Sequence, residues 1–341
     1  MNANNPGLFG SRLADGKQLK ERLITIFTKW EVLLCVIFLF QGTLFSVLTP
    51  YFLDSFNLMN ANFTFMEKAV VALPMILVIM SGDIDISVAS IIALSSFALG
   101  AASEAGASVV QLVLIGILVG MLAGAFNGFF VAYVGMPAIA VTLATQSLFR
   151  GISQAALGDQ AYTSYPESFG FFGQGFVGDT IIPFELVVFL VLAVIMWFVL
   201  HQSSYGRKVY AVGNSKSAAR FSGVNVERVR FINFMLNGLF CGIAAVLLTS
   251  RIGSTRPNIA NGWDMEVITL VVLGGVSISG GKGNIFGVIV SIFLLGYLKF
   301  GMGLLNISGK IMIITTGLLL VIAVLLPMLL EQFRARRKLK F

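Results

Sequence analysis

Ten apolar runs divide this chain from end to end and leave it few ways to fold. They lie at residues 32–48, 69–80, 86–102, 109–134, 139–157, 181–200, 231–248, 265–278, 285–297 and 311–330. An α-helix needs about 20 apolar residues to cross the hydrocarbon of a bilayer. No water is available there for backbone N–H and C=O groups, so only helices and closed barrels can span. The chain is 57% hydrophobic and 11% charged, whereas soluble domains hold about 45–50% and about 25%. That balance excludes an ordinary soluble enzyme. The expectation is an all-α, polytopic membrane protein of about ten transmembrane helices. The second, eighth and ninth runs are too short to cross unaided, so each is expected either to be extended by flanking polar residues or to be broken and re-entrant.

Orientation follows from lysine and arginine, which short loops keep on the cytoplasmic side. Three clusters hold most of the 23 basic residues. Arg12, Lys17, Lys20, Arg22 and Lys29 precede the first run. Arg207, Lys208, Lys216, Arg220, Arg228 and Arg230 follow the sixth, and Arg334, Arg336, Arg337, Lys338 and Lys340 end the chain. Ten crossings from a cytoplasmic N-terminus put all three clusters inside. Residues 158–180, with no Lys or Arg, then lie outside. Membrane orientation thus accounts for the net charge of +7 without a nucleic-acid partner. The expected division is a cytoplasmic segment 1–31, a membrane domain 32–330 containing a cytoplasmic loop 202–230, and a basic tail 331–341. No cleavable signal peptide is expected, because the charged leader runs into the first span without a clear cleavage site.

Catalytic signals are sparse. His201 is the sole histidine, which excludes HExxH zinc sites and Ser-His-Asp arrangements needing a second one. Cys35 and Cys241 are far apart in sequence and form no CxxC motif. No metal or other cofactor is implied. The stretch GVSISGGK (275–282) resembles a phosphate loop only until its spacing is checked. Val276 stands where Walker A needs glycine, and Gly283 replaces the magnesium-binding Ser or Thr. A glycine-rich turn between membrane segments is the better reading.

Polar and small residues inside the runs are more informative. Gly116, Gly120, Gly124 and Gly128 recur every four residues, placing them on one helix face where a second backbone can approach closely. Helix packing is favoured over the lining of a passage. Gln146 and Arg150, Asn233 and Asn237, and Asn127 each cost free energy in hydrocarbon unless they face a partner or water. Gln146, Arg150, Asn237 and Asn127 are therefore candidates for a pathway suited to a neutral polyhydroxylated solute. Their alternative role is interhelical hydrogen bonding. Asp83 and Asp85 could bind a cation or proton, or could meet the dipole of the helix that follows, and capping is favoured. The loop 201–230 is far longer than the roughly 2–8 residues a helix connection needs. Ser217, Ala218, Ala219 and Arg220 can form one short helix and 224–230 another, with Gly223 between them. The loop reads as a docking surface for a cytoplasmic partner.

At these residues the chain resembles the permease subunits of bacterial ABC importers for monosaccharides, a family that includes ribose, arabinose, galactofuranose, rhamnose and autoinducer-2 permeases. The segments carrying the resemblance are VIMSGDIDISVASIIAL (78–94), GAFNGFFVAYVGMPAIAVTLAT (124–145), GRKVYAVGNSKSAARFSGVNVERV (206–229) and VVLGGVSISGGKGNIFGVIV (271–290). Residues 149–176 and 248–275 are most similar to rhamnose importer permeases. The family has glycine where this chain has Asp83, so Asp83 inherits no role, whereas Asp85 and Ser87 match as structural members of their motif. The resemblance implies a type II-like importer in the bacterial inner membrane. Two permease subunits, alike or different, would form the pathway in the lipid, a two-cassette ATPase would hydrolyse ATP in the cytoplasm, and a periplasmic protein would deliver sugar. Asn214 to Gly223 matches the segment that couples to the ATPase. The alternatives are autoinducer-2 or another pentose or hexose as cargo, an ion-coupled secondary transporter using Asp83 and Asp85, and a membrane-embedded enzyme.

Overall fold

A computed structural model describes residues 30–338. Arg12 to Lys29 lie outside the described residues, as do the side chains of the tail cluster that begins at Arg334. Helix α1 (Trp30–Leu48) is followed by α2 (Ser55–Ala61), a 3₁₀ turn (Asn62–Thr64), α3 (Met66–Met80), α4 (Val88–Glu104) and α5 (Val109–Phe129), which closes in a π turn (Phe130–Val134). Then come α6 (Ala138–Leu157), the short α7 (Phe171–Gln174) and α8 (Phe184–Trp197) with its own π turn (Phe198–Gln202). Two short helices, α9 (Ser204–Asn214) and α10 (Lys216–Phe221), lead into α11 (Val226–Ile252), α12 (Trp263–Leu273), α13 (Ile285–Leu304) and α14 (Gly309–Lys338). Besides helices, the described residues hold two isolated β-bridges, Tyr162 with Thr255 and Phe176 with Pro183.

Five of these helical segments are long and apolar enough to cross a membrane: α1, α5 and α8 with their π turns, α11, and α13. The pair from Ser55 to Met80, bent by 57° at Phe65, makes a sixth. The second run is therefore broken, and the eighth stays short as the 11-residue α12. The ninth is extended past a flanking polar residue: α13 continues to Leu304 through Lys299, giving 20 residues. It does so because the Lys299 ammonium meets Glu266 of α12 at 2.8 Å. Short elements survive inside a bilayer when protein covers them. In α3 every residue from Ala69 to Met80 is buried, and this stretch is apolar all round, as a helix at the centre of a bundle must be.

Helices α5 and α11 meet along facing glycines. A Cβ at Gly120 would stand 2.5 Å from the Gly238 carbonyl oxygen, and one at Gly124 2.3 Å from that of Phe234. Gly116 and Gly128 face Val246 and Phe231 along the same line. The period-four stripe is thus a backbone-to-backbone seam, and its counterpart on α11, Gly238 and Gly242, has the same spacing.

Candidate functional site

One end of the bundle gathers the polar loops. Ser203 caps α9 by accepting from the Gly206 N–H, and Ser215 caps α10 by accepting from the Ala218 N–H. Helix α10 ends in a Schellman motif: Val224 N–H donates to Ala219 O and Gly223 N–H to Arg220 O, with Gly223 at φ +80°. Asn225 then caps α11 through the Arg228 N–H. The loop therefore folds as a helical elbow with three local stop-and-start signals, and Arg220 pairs with Glu227 across it.

The elbow is fastened to the bundle centre by backbone contact. A Cβ at Gly213 would lie 1.8 Å from the Met80 carbonyl oxygen and 2.4 Å from the Gly281 nitrogen. Gly281 N–H donates to that same Met80 oxygen at 2.9 Å. Asn214 packs its Oδ1 against Gly281, and the Tyr210 hydroxyl donates to Gly283 O at 2.8 Å. The glycine-rich 275–282 turn is thus the wall that receives α9. Ser217, Ala218 and Arg220 are exposed on α10, but Ala219 is buried at 3% and points into the protein. Beside it, Phe221 is 93% exposed.

Asp83 and Asp85 part company. Asp83 takes the Arg230 guanidinium on both oxygens, Nε to Oδ2 at 2.7 Å and Nη2 to Oδ1 at 2.8 Å, with Lys216 of α10 at 3.3 Å. It caps no helix, contrary to the reading favoured for the pair. Asp85 is fully buried and accepts from the Ser87 N–H at 2.9 Å, the Ser87 hydroxyl at 2.5 Å and the Asn237 amide at 2.8 Å, at the mouth of α4. Ser87 in turn accepts from Asn127 at 2.8 Å. Asn127 and Asn237, singled out for a pathway, are instead wholly buried around this carboxylate and join α4, α5 and α11. Asn233 ties Ser81 at 2.5 Å and Tyr205 of α9 at 2.6 Å, a second link from the elbow to the end of α3.

At the opposite end, residues 253–262 fold back into the bundle. Thr255 is buried, bridges to Tyr162 and bonds Ser96 and Tyr165. Burial pushes the Tyr165 phenol up to about 12, so it stays protonated as a hydrogen-bonding group. Arg150 donates to Pro257 O at 2.9 Å, Ile259 O at 2.7 Å and Ala89 O at 3.1 Å, holding this fold against α4. Gln146, half-buried one turn earlier, makes no side-chain hydrogen bond among the described residues. Two polar cavities flank the segment and share Arg256 and Asn258: one of about 780 Å³ beside Gln154 and Asp159, the other of about 570 Å³ beside Arg251 and Trp263.

A bundle of apolar helices, with a short helix buried at its centre and a polar elbow fastened to that helix's end, is the build of an integral membrane transport component. The chain belongs to the family described as branched-chain amino acid transport system / permease component, which it matches over residues 57–326. It is 35% identical to the ribose import permease protein of Bacillus subtilis over 284 residues, 82% of this chain and 87% of the relative. It is 33% identical to the autoinducer 2 import system permease protein of Photorhabdus luminescens over 300 residues, 86% of this chain and 90% of the relative. The Escherichia coli autoinducer 2 permease is equally similar, at 33% over 300 residues. No solved structure matches it.

Proposed function

We propose that this chain is the pathway-forming permease subunit of an ATP-driven sugar importer in a bacterial inner membrane, with rhamnose as cargo. The relative named for ribose import, matched across most of both chains, is the observation that carries a sugar cargo. Rhamnose is supported by the resemblance of 149–176 and 248–275 to rhamnose importer permeases. Those two segments are bridged to each other by Tyr162 and Thr255, and both border the larger cavity. A periplasmic sugar-binding protein would deliver to that end, and a second permease subunit would complete the pathway.

At the other end, α9 and α10 face the cytoplasm and dock the ABC ATPase, with Phe221 as the apolar contact. An ion-coupled mechanism through Asp83 and Asp85 loses its basis, since Asp83 is held by Arg230 and Lys216. Uptake of labelled sugars by cells lacking this chain tests the cargo. Loss of rhamnose uptake, restored by the chain, is expected. Loss of ribose uptake instead would reassign the cargo, and unchanged uptake of both would refute the sugar reading.

A further inference from the structure

Where the end of α13 passes the start of α14, the bundle surface opens into a cleft of about 370 Å³. Phe65, Phe300, Gly303, Leu304 and Met312 wall it, and Lys299 is the one charged residue on its lining. Lys299 lies five residues before the end of α13, about 8 Å along the helix axis. From that depth a long basic side chain reaches the level of the lipid headgroups. Beside the cleft, Ile311, Ile313 and Ile314 of α14 are exposed, the apolar surface a helix presents to hydrocarbon.

Ammonium groups outnumber carboxylates at this rim. Lys68 and Lys299 meet the same oxygen of Glu266, at 2.7 and 2.8 Å, so the half-buried cluster of three carries one positive charge in excess. Lys68 lies over the Trp263 ring and borders the 570 Å³ cavity instead, which leaves Lys299 as the member on the cleft. Lys310, exposed in the first turn of α14, has no counter-ion among the described residues. It stands two residues before Met312, at the end of a helix where the dipole disfavours a cation. A charge withdrawn from water persists only when it is paired. An anion seated at the mouth of the cleft supplies that pair.

We propose that this cleft is a binding site for an anionic phospholipid, with the phosphate on the Lys299 ammonium and an acyl segment against Phe65, Phe300 and Met312. Lys310 adds to the attraction at the same rim. The match is one of chemistry at both ends of the ligand: a cation at the mouth and hydrocarbon walls behind it. A sugar finds almost nothing there to hydrogen-bond, since Thr64 and Lys299 are the only polar side chains on the lining. An apolar protein segment would fit the walls but would cover Lys299 and leave the excess charge unanswered. The lipid ties the end of α13 to the starts of α3 and α14, three elements that bound the cleft. This site is independent of the cargo and of the ATPase.

The test is native mass spectrometry of the full chain in detergent, with phosphatidylglycerol, phosphatidylcholine or inorganic phosphate added. Two variants remove the two halves of the site. Lys299→Gln takes away the excess charge and leaves Lys68 and Glu266 as a neutral pair. Gly303→Leu fills the cleft without a backbone clash, because a Cβ there meets only the Met312 methyl at 3.9 Å. Wild-type protein is expected to retain one phosphatidylglycerol more than either variant, to retain no phosphatidylcholine in its place, and to keep the lipid when phosphate is added. An equal number of phosphatidylglycerols on wild type and Gly303→Leu overturns the proposal, as does equal retention of phosphatidylcholine. Displacement by inorganic phosphate would mark a free-anion site and overturn it too. Loss of a dimer mass in Gly303→Leu, with the lipid number unchanged, would assign the cleft to a second copy of the chain instead.

Discussion

Gly120 and Gly238 each occupy the space the other's side chain would need: a Cβ on Gly120 would sit 2.5 Å from Gly238 O, and one on Gly238 2.2 Å from Gly120 O. Neither neighbour is a flexible side-chain end, so α5 and α11 must part if either residue grows. Gly120→Ala and Gly238→Ala are each expected to cost about 1–3 kcal/mol of overpacking strain. Gly151→Ala on α6, which meets nothing within 4 Å, should be silent. Thermal unfolding of the three variants in detergent checks the order.

Removing one partner from a buried ion pair strands the other, at a cost of about 3–5 kcal/mol. Asp83 is 5% exposed and Arg230 13%, so Arg230→Ala should sharply lower the unfolding temperature and membrane abundance. Lys216 is 42% exposed, and its contribution is that of a solvent-screened pair, about 0–1 kcal/mol. A Lys216→Ala chain as unstable as Arg230→Ala would refute this ranking.

Phe221 and Ala219 separate docking from folding. Phe221→Ala should leave the isolated permease within about 0.5 kcal/mol of wild type while weakening co-purification of the ATPase. Ala219→Trp forces an indole into a buried position and should destabilise the permease with no ATPase present, by about 1–3 kcal/mol. Normal ATPase association by Phe221→Ala would remove α10 from the interface.

Asn237→Leu leaves Asp85 Oδ2 without its donor, a loss worth about 1–3 kcal/mol for a buried acceptor. Reduced abundance is the expected result. Gln146→Leu breaks no hydrogen bond, so its protein level should stay normal and its uptake rate reports on the pathway alone. Equal abundance of the two variants would show that the Asp85 cluster does not support the fold.

The orientation is open to labelling at exposed positions. Ser168→Cys should react with an impermeant maleimide in intact spheroplasts, and Ser217→Cys only after lysis. The reverse pattern would invert the protein in the membrane.

The helices were largely legible because the apolar runs are a local property: hydrophobicity and length decide them, and α1, α5, α8 and α11 follow directly. The failures share one cause. Asp83 reads as a cap until Arg230, 147 residues onward, takes both its oxygens. Asn127 and Asn237 read as pathway residues because the carboxylate they enclose is supplied by another helix. Polar residues in apolar runs announce that a partner exists; only the fold says which.

The contact of Gly213 with Met80 and Gly281 bears on how force travels. Side chains behave as springs, yielding by rotamer changes before backbones shift. At this junction there is no side chain to yield, so a push on α9 has no slack to take up before it reaches α3. Helix α3, about 20 Å long, runs from Met80 at the driven end past Pro74 to Glu67, which is paired with Arg251, near the far one. Substitutions at Gly213 are therefore expected to be lesions of transmission as well as of packing.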